Sequence, residues 1–225
     1  MVEYKISVNQ LASFSRSTDS KKRSIVRQQK NPPAILVGRY GMAKARIRKA
    51  ISTNGDIQPI LSGIEVLKAR TPDTDWKKND RHVSIEAMER FIKMKLPSVL
   101  QDHKYEILPK LKTKSFYVNG VEILVSPDLI IKALIDGQYF VGAVKIHVSK
   151  NDLFDSAQNR YVTTCIYQYL DLQFENSLDV FVLPELCICV DVFADTFRNA
   201  PENIENTLVE IEVMCEEIKK IWTLV

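Results

Sequence analysis

Hydrophobic positions along the chain change period repeatedly, and the changes divide it into helical and extended stretches. Ile6 to Phe14 begins as a short extended segment and enters a helix-like turn. The run Met42-Ala-Lys-Ala-Arg-Ile-Arg-Lys-Ala-Ile51 is rich in helix formers, and a second helix is predicted over Ile57 to Ala69, with Gly63 as its weak spot. Thr71 to Asp80 is polar and reads as a loop. Ser84 is a plausible N-cap for a helix from Ile85 to Lys95 that stops near Pro97. Its apolar stripe is Ile85, Met88, Ile92 and Leu96, and Glu89 falls within it.

Beyond Pro97 the period becomes that of strands. Phe116-Tyr-Val-Asn-Gly-Val-Glu-Ile-Leu-Val125 contains Asn119-Gly120, a two-residue hairpin signal. Leu129 to Ile135 leads through Asp136-Gly137 into Tyr139-Phe-Val-Gly-Ala-Val-Lys-Ile-His-Val148, giving three strands in a meander. Asp152 to Phe174 returns to helical spacing. Val180 to Leu183 and Leu186 to Phe193 read as strands separated by Pro184. Ile204, Leu208, Ile211, Cys215, Ile218 and Trp222 mark a closing amphipathic helix. The order of helix, three strands, helix, strand and helix predicts an α/β fold. Residues 1–80 are expected to form a basic, mostly helical N-terminal lobe, and 81–225 the α/β core with its C-terminal helix, the two together able to make one compact domain.

Charge sharpens this picture. The chain has 225 residues and a net charge of +3. Residues 1–150 hold 27 Lys/Arg against 14 Asp/Glu, while residues 151–225 hold 4 against 14. No acid lies between Ser20 and Gly55, where Lys21, Lys22, Arg23, Arg27, Lys30, Arg39, Lys44, Arg46, Arg48 and Lys49 stand. Such a block suits a phosphate backbone, DNA above all; the bland counterpart is a solvated surface balancing the acidic C-terminal part. Asn31-Pro-Pro33 breaks the basic segment. No apolar run approaches a bilayer span and no signal sequence opens the chain, so a soluble cytoplasmic protein is expected. Cys165, Cys187, Cys189 and Cys215 show no CxxC spacing and read as reduced core thiols rather than zinc ligands.

The chemistry concentrates on Lys145. An ammonium inside an apolar strand is costly unless something pairs with it, and Asp128, opening the preceding strand after Pro127, is the natural partner. Strand parity puts Ala143, Lys145 and His147 on one face. A carboxylate beside a lysine can hold a divalent cation and place a water for phosphodiester hydrolysis, although one oxygen ligand is not enough.

With Pro127-Asp128, Ala143-Val144-Lys145 across a hairpin, and an αβββαβ order, the stretch from Ser84 to Phe193 resembles the PD-(D/E)xK nuclease-like superfamily, particularly its RecB-like branch. The resemblance implies a restriction-endonuclease-like core, a mixed sheet flanked by helices, and a Mg²⁺- or Mn²⁺-dependent deoxyribonuclease with Asp128 and Lys145 at its centre. RecB-like members carry a glutamine and a tyrosine on the following helix; Gln158 and Tyr161 stand there as QxxY rather than QxxxY. Iron–sulfur members use an N-terminal cysteine, and none precedes Cys165, so no cluster is expected. The departure from the pattern is Ala143, where the family has its second acid. Glu89 is the favoured replacement, with Glu122, Asp152 and Asp155 as alternatives, and His147 could add a metal ligand or a phosphate contact. Otherwise His147 is a hydrogen-bonded, semi-buried histidine. The competing functions are a catalytically inactive nuclease-fold module that binds nucleic acid or a partner protein, and an α/β interaction protein that dimerises through its C-terminal helix.

Overall fold

The computed structural model describes residues 3–32 and 38–225; Pro33 of the predicted break lies outside them. In chain order the elements are β1 (Tyr4–Ser7), α1 (Val8–Ser15), α2 (Asp19–Lys30), α3 (Gly41–Ser52), α4 (Gln58–Ala69), α5 (Asp75–Lys93), α6 (Ser98–Asp102), β2 (Tyr105–Leu108), β3 (Ser115–Val118), β4 (Val121–Leu124), β5 (Leu129–Ile135), β6 (Gln138–His147), α7 (Ser156–Phe174), β7 (Val180–Asp191), β8 (Thr196–Asn199) and α8 (Glu205–Trp222). The result is an α/β fold with mixed sheets flanked by helices.

The main sheet has the order β2-β5-β6-β7-β8. β2, β5 and β6 are successively antiparallel, β7 joins β6 in parallel, and β8 returns antiparallel to β7. The parallel step needs a long crossover, which α7 supplies. Both predicted hairpin turns form: Asn119-Gly120 and Asp136-Gly137 all have positive φ, the conformation that two-residue hairpins require. β6 is buried from Val141 to His147 on both faces, as expected of a strand covered on each side. Leu129, Ile131, Val144, Ile146 and Ile188 pack with α3, α4 and α5. Ile130, Val141, Ala143, Cys187 and Cys189 pack with α1, α7, α8 and the second sheet.

Four expectations change. Phe116 to Val125 is not the first strand of the meander. Its two halves join β1 in a separate sheet of order β1-β4-β3, and the unpredicted β2 takes the vacated place. Ser84 is no cap: α5 starts at Asp75, ten residues before Ile85, capped by the Thr74 hydroxyl accepting from the Lys77 amide. From Asp75 on, the polar stretch folds as helix, its solvated first turn stabilised by the ion pairs Asp73–Lys77 and Asp75–Lys78 with no apolar stripe to reveal it. Pro184 does not end a strand, because β7 runs through it with an irregularity opposite Gly142. There the Leu186 side chain and carbonyl approach so closely that a Cβ on residue 142 has no room. Finally, residues 1–80 are no lobe of their own. β1 pairs in parallel with β4, and α1 and α2 contribute Leu11, Phe14, Ile25 and Val26 to one core, whereas α3 and α4 contribute Ile47, Ile51, Ile60 and Ile64 to the other. Among the described residues no helix is long and apolar enough to cross a membrane.

Candidate functional site

Asp128 stands just before β5, on the strand next to Lys145. Its amide donates to the Val144 carbonyl (2.9 Å), which holds it in line with the ladder. Its carboxylate then closes the end of that ladder, Oδ2 accepting from the Ile146 amide at 2.8 Å. The other oxygen, Oδ1, lies 3.1 Å from Lys44 Nζ on α3. Lys145, by contrast, forms no direct ion pair with Asp128. Its ammonium donates to the carbonyls of Val125 (2.7 Å) and Ser126 (2.8 Å). Ser126 has φ 41°, and Val125 and Ser126 both donate their amides to the Lys114 carbonyl. The turn before Pro127 thus offers its own carbonyls to the lysine. Lys145 is only 9% exposed. Burial pushes its pKa down to about 8, against the pull of the Asp128 charge, and the Lys44 and Lys110 charges push the same way as burial. The pair is therefore adjacent and electrostatically coupled, but each partner is satisfied by other groups.

The remaining candidates sit elsewhere or do structural work. Glu89 is exposed on the outer side of α5, among Glu86, Arg90, Lys93 and Asp195. The buried stripe of that helix is Val83, Ser84, Ala87, Met88 and Phe91, so the expectation that Glu89 faces the sheet is wrong by one position of helical phase. His147 Nε2 donates to the Asp152 carbonyl (2.6 Å), and the ring stacks on Phe154 at 3.7 Å, a buried histidine with its partner supplied by the chain. Gln158 completes a capping box with Asp155 at the start of α7 and donates its Nε2 to the Ala12 carbonyl. Tyr161 donates to Glu210. Glu122, in the second sheet, accepts from the Ser115 hydroxyl; Asp152 accepts from Ser13; Asp155 pairs with Arg16. Ala143 is fully buried.

This donor set does not fit the divalent metal that the resemblance implies. Asp128 offers the site a single carboxylate, already shared between an amide and an ammonium. Among the described residues no three His, Cys, Asp or Glu side chains converge to hold a metal ion.

What the site does have is positive charge around a groove. Beside Pro127-Asp128 lies a groove of about 530 Å³ walled by Arg48, Lys49 and Ser52 of α3, Ile107 and Leu108 at the end of β2, Pro109 and Lys110 just after it, and Leu129 and Ile130. A smaller hollow of about 140 Å³ shares Lys110, Pro127, Asp128 and Ile130 with it and adds Lys114. The basic block foreseen as one surface is split. On α2, Lys22 pairs with Glu217 (2.8 Å), and Lys30 donates to the Trp222 and Val225 carbonyls, so the acidic C-terminal helix neutralises part of it. Lys21, Arg23 and Arg27 remain exposed there. On α3, Arg46 packs over Gly63, while Lys44, Arg48 and Lys49 stand at the groove.

Two groups escaped the sequence. Lys110 and Lys114 complete the basic wall; their signal was the alternation Lys110-Leu-Lys-Thr-Lys114 next to the strand entrance. Asp191 is fully buried at the end of β7 and accepts three backbone amides, from Phe154 (2.7 Å), Phe193 (3.1 Å) and Ala194 (3.0 Å). Its signal was an acid closing the apolar run Leu186 to Val190. No protein-family model matches the chain, and no curated protein matches it in sequence.

Proposed function

We propose that this chain is a nucleic-acid-binding module built on a PD-(D/E)xK nuclease-like core, which holds a phosphodiester backbone in the groove beside Pro127-Asp128 and does not hydrolyse it. The observation that carries the reading is the charge of that groove: Arg48, Lys49 and Lys110 line it, Lys114 lines the hollow beside it, and Asp128, the carboxylate they share it with, is already paired with Lys44. Such a surface attracts polyanions by releasing their counterions. Support for the nuclease-like core comes from the order α5, β2, β5, β6, α7, β7, which keeps the helix, three strands, helix, strand sequence once the short α6 and the β3–β4 hairpin are set aside. Support for the absence of hydrolysis comes from the donor set, since Ala143 cannot ligate and none of Glu89, Glu122, Asp152 or Asp155 replaces it.

The test incubates labelled single- and double-stranded DNA with the full chain in Mg²⁺ or Mn²⁺ and follows both binding and fragment length. Binding with the oligonucleotide left intact is expected. Cleavage that is lost in both Asp128→Ala and Lys145→Ala would refute the non-hydrolytic reading and return the site to the nucleases.

A further inference from the structure

Among the described residues Asp128 is the one carboxylate lining the groove, and its counter-charge comes from the protein itself. Lys44 projects from the first turn of α3, its backbone fixed by the hydrogen bond that its amide donates to the Tyr40 carbonyl (2.9 Å). Its ammonium is 3.1 Å from Oδ1, while Oδ2 is taken by the Ile146 amide. Lys145 does not compete for Oδ1, because the Val125 and Ser126 carbonyls draw its ammonium away. A divalent cation approaching Oδ1 must therefore displace Lys44 and enter the field of Lys145 and Lys110, with no second carboxylate to offset the charge.

We infer that Lys44 is the resident counter-ion of Asp128, standing in the place of a divalent metal, so that the groove engages bare phosphate oxygens without any metal bridge. The inference rests on the nucleic-acid reading above and specifies its ligand chemistry: the ligand is a phosphodiester recognised by ammonium and guanidinium groups, not a metal-chelated nucleotide.

Two measurements on the full chain, stripped of metal with EDTA, test it. Mn²⁺ is titrated into the wild type, Asp128→Asn, Lys44→Glu and the Lys44→Glu/Asp128→Asn double variant, with calorimetry and the spin resonance of free Mn²⁺ as readouts. A labelled oligonucleotide is bound to the wild type in EDTA and in Mg²⁺ at matched ionic strength. The wild type is expected to take up no Mn²⁺ and to bind the oligonucleotide at least as tightly in EDTA as in Mg²⁺, which competes for the same phosphates. Lys44→Glu, which sets a second carboxylate facing Asp128, is expected to gain one Mn²⁺ per chain, lost again in the double variant. Stoichiometric Mn²⁺ on the wild type that disappears in Asp128→Asn overturns the inference whatever the folding of the Lys44 variants, and so does a folded Lys44→Glu that gains none. Oligonucleotide binding that requires Mg²⁺ also overturns it while sparing the nucleic-acid reading. Failure to bind in either buffer refutes that reading instead and leaves the Mn²⁺ titration to decide the role of Lys44.

Discussion

Replacing Lys145 by Met keeps the length and most of the volume of the side chain and removes its charge, which isolates the cost of burying an ammonium in β6. The pKa of Lys145 lies at about 8, against an ordinary value of 10.5. Below pH 8 both the folded and the unfolded chain hold this proton, so the cost of the buried charge is present in full. Between about pH 8 and 10.5 the unfolded chain keeps a proton that the folded chain has released, and the contribution of Lys145 to stability rises with pH. The gain is roughly 1 kcal/mol by pH 9 and between about 2 and 3 kcal/mol by pH 10. Total stability does not show this cleanly, because Cys165, Cys187, Cys189 and Cys215 are buried thiols whose pKa values are all pushed up. They act in the opposite sense, lowering stability as the unfolded thiols ionise. The difference between the wild type and Lys145→Met cancels them. Guanidinium unfolding of both proteins between pH 7 and 10 measures it. A difference that stays flat, or moves against the wild type as pH rises, would refute the account of Lys145 as a desolvated cation.

Three further outcomes follow from particular contacts. Gly142→Ala drives a methyl group into the Leu186 side chain and carbonyl where β7 shifts register, and a loss of roughly 3 kcal/mol is expected in the same unfolding assay. Asp191→Asn replaces a carboxylate that accepts three amides by a group that turns donors toward them, at a cost of about 3 kcal/mol. Charge reversal on α2 (Lys21→Glu, Arg23→Glu, Arg27→Glu) is expected to weaken DNA binding far less than reversal on the groove wall (Arg48→Glu, Lys49→Glu, Lys110→Glu), as read by fluorescence anisotropy.

The sheet was legible where local pattern and local chemistry agree. Asn119-Gly120 and Asp136-Gly137 demand left-handed backbone that few other pairs accept, and β5, β6, α7 and α8 have enough periodic positions to declare themselves. The partner of β4 was not legible, because pairing with Tyr4–Ser7 depends on a contact more than a hundred residues away in sequence. β2 was hidden for a related reason: its residues are half exposed at the sheet edge and carry no alternation. At the site, the strand that carries Lys145 and the neighbouring acid, Asp128, were legible, but not that the two charges stop short of a direct ion pair. Backbone carbonyls satisfied the ammonium instead, a partner that every residue carries and that no side-chain pattern betrays. Glu89 failed through helical phase: the stripe drawn through Ile85, Met88 and Ile92 is displaced from the one that α5 buries, and a single step separates a core position from a solvated one. The continuous basic block likewise concealed a division, since α2 and α3 enter different layers and part of the former is neutralised by α8.

The salt dependence of oligonucleotide binding separates a groove that holds phosphates from a basic surface that does not. Each phosphate neutralised by the groove contributes about 0.7 to 0.9 to the slope of log K against log salt. Wild-type affinity is expected to fall steeply with salt, with a slope smaller by about two to three in the Arg48→Glu/Lys49→Glu/Lys110→Glu variant, its fold intact by circular dichroism. Equal affinity and equal slope for the two proteins, or no binding by the wild type even at low salt, would contradict a phosphate-holding groove.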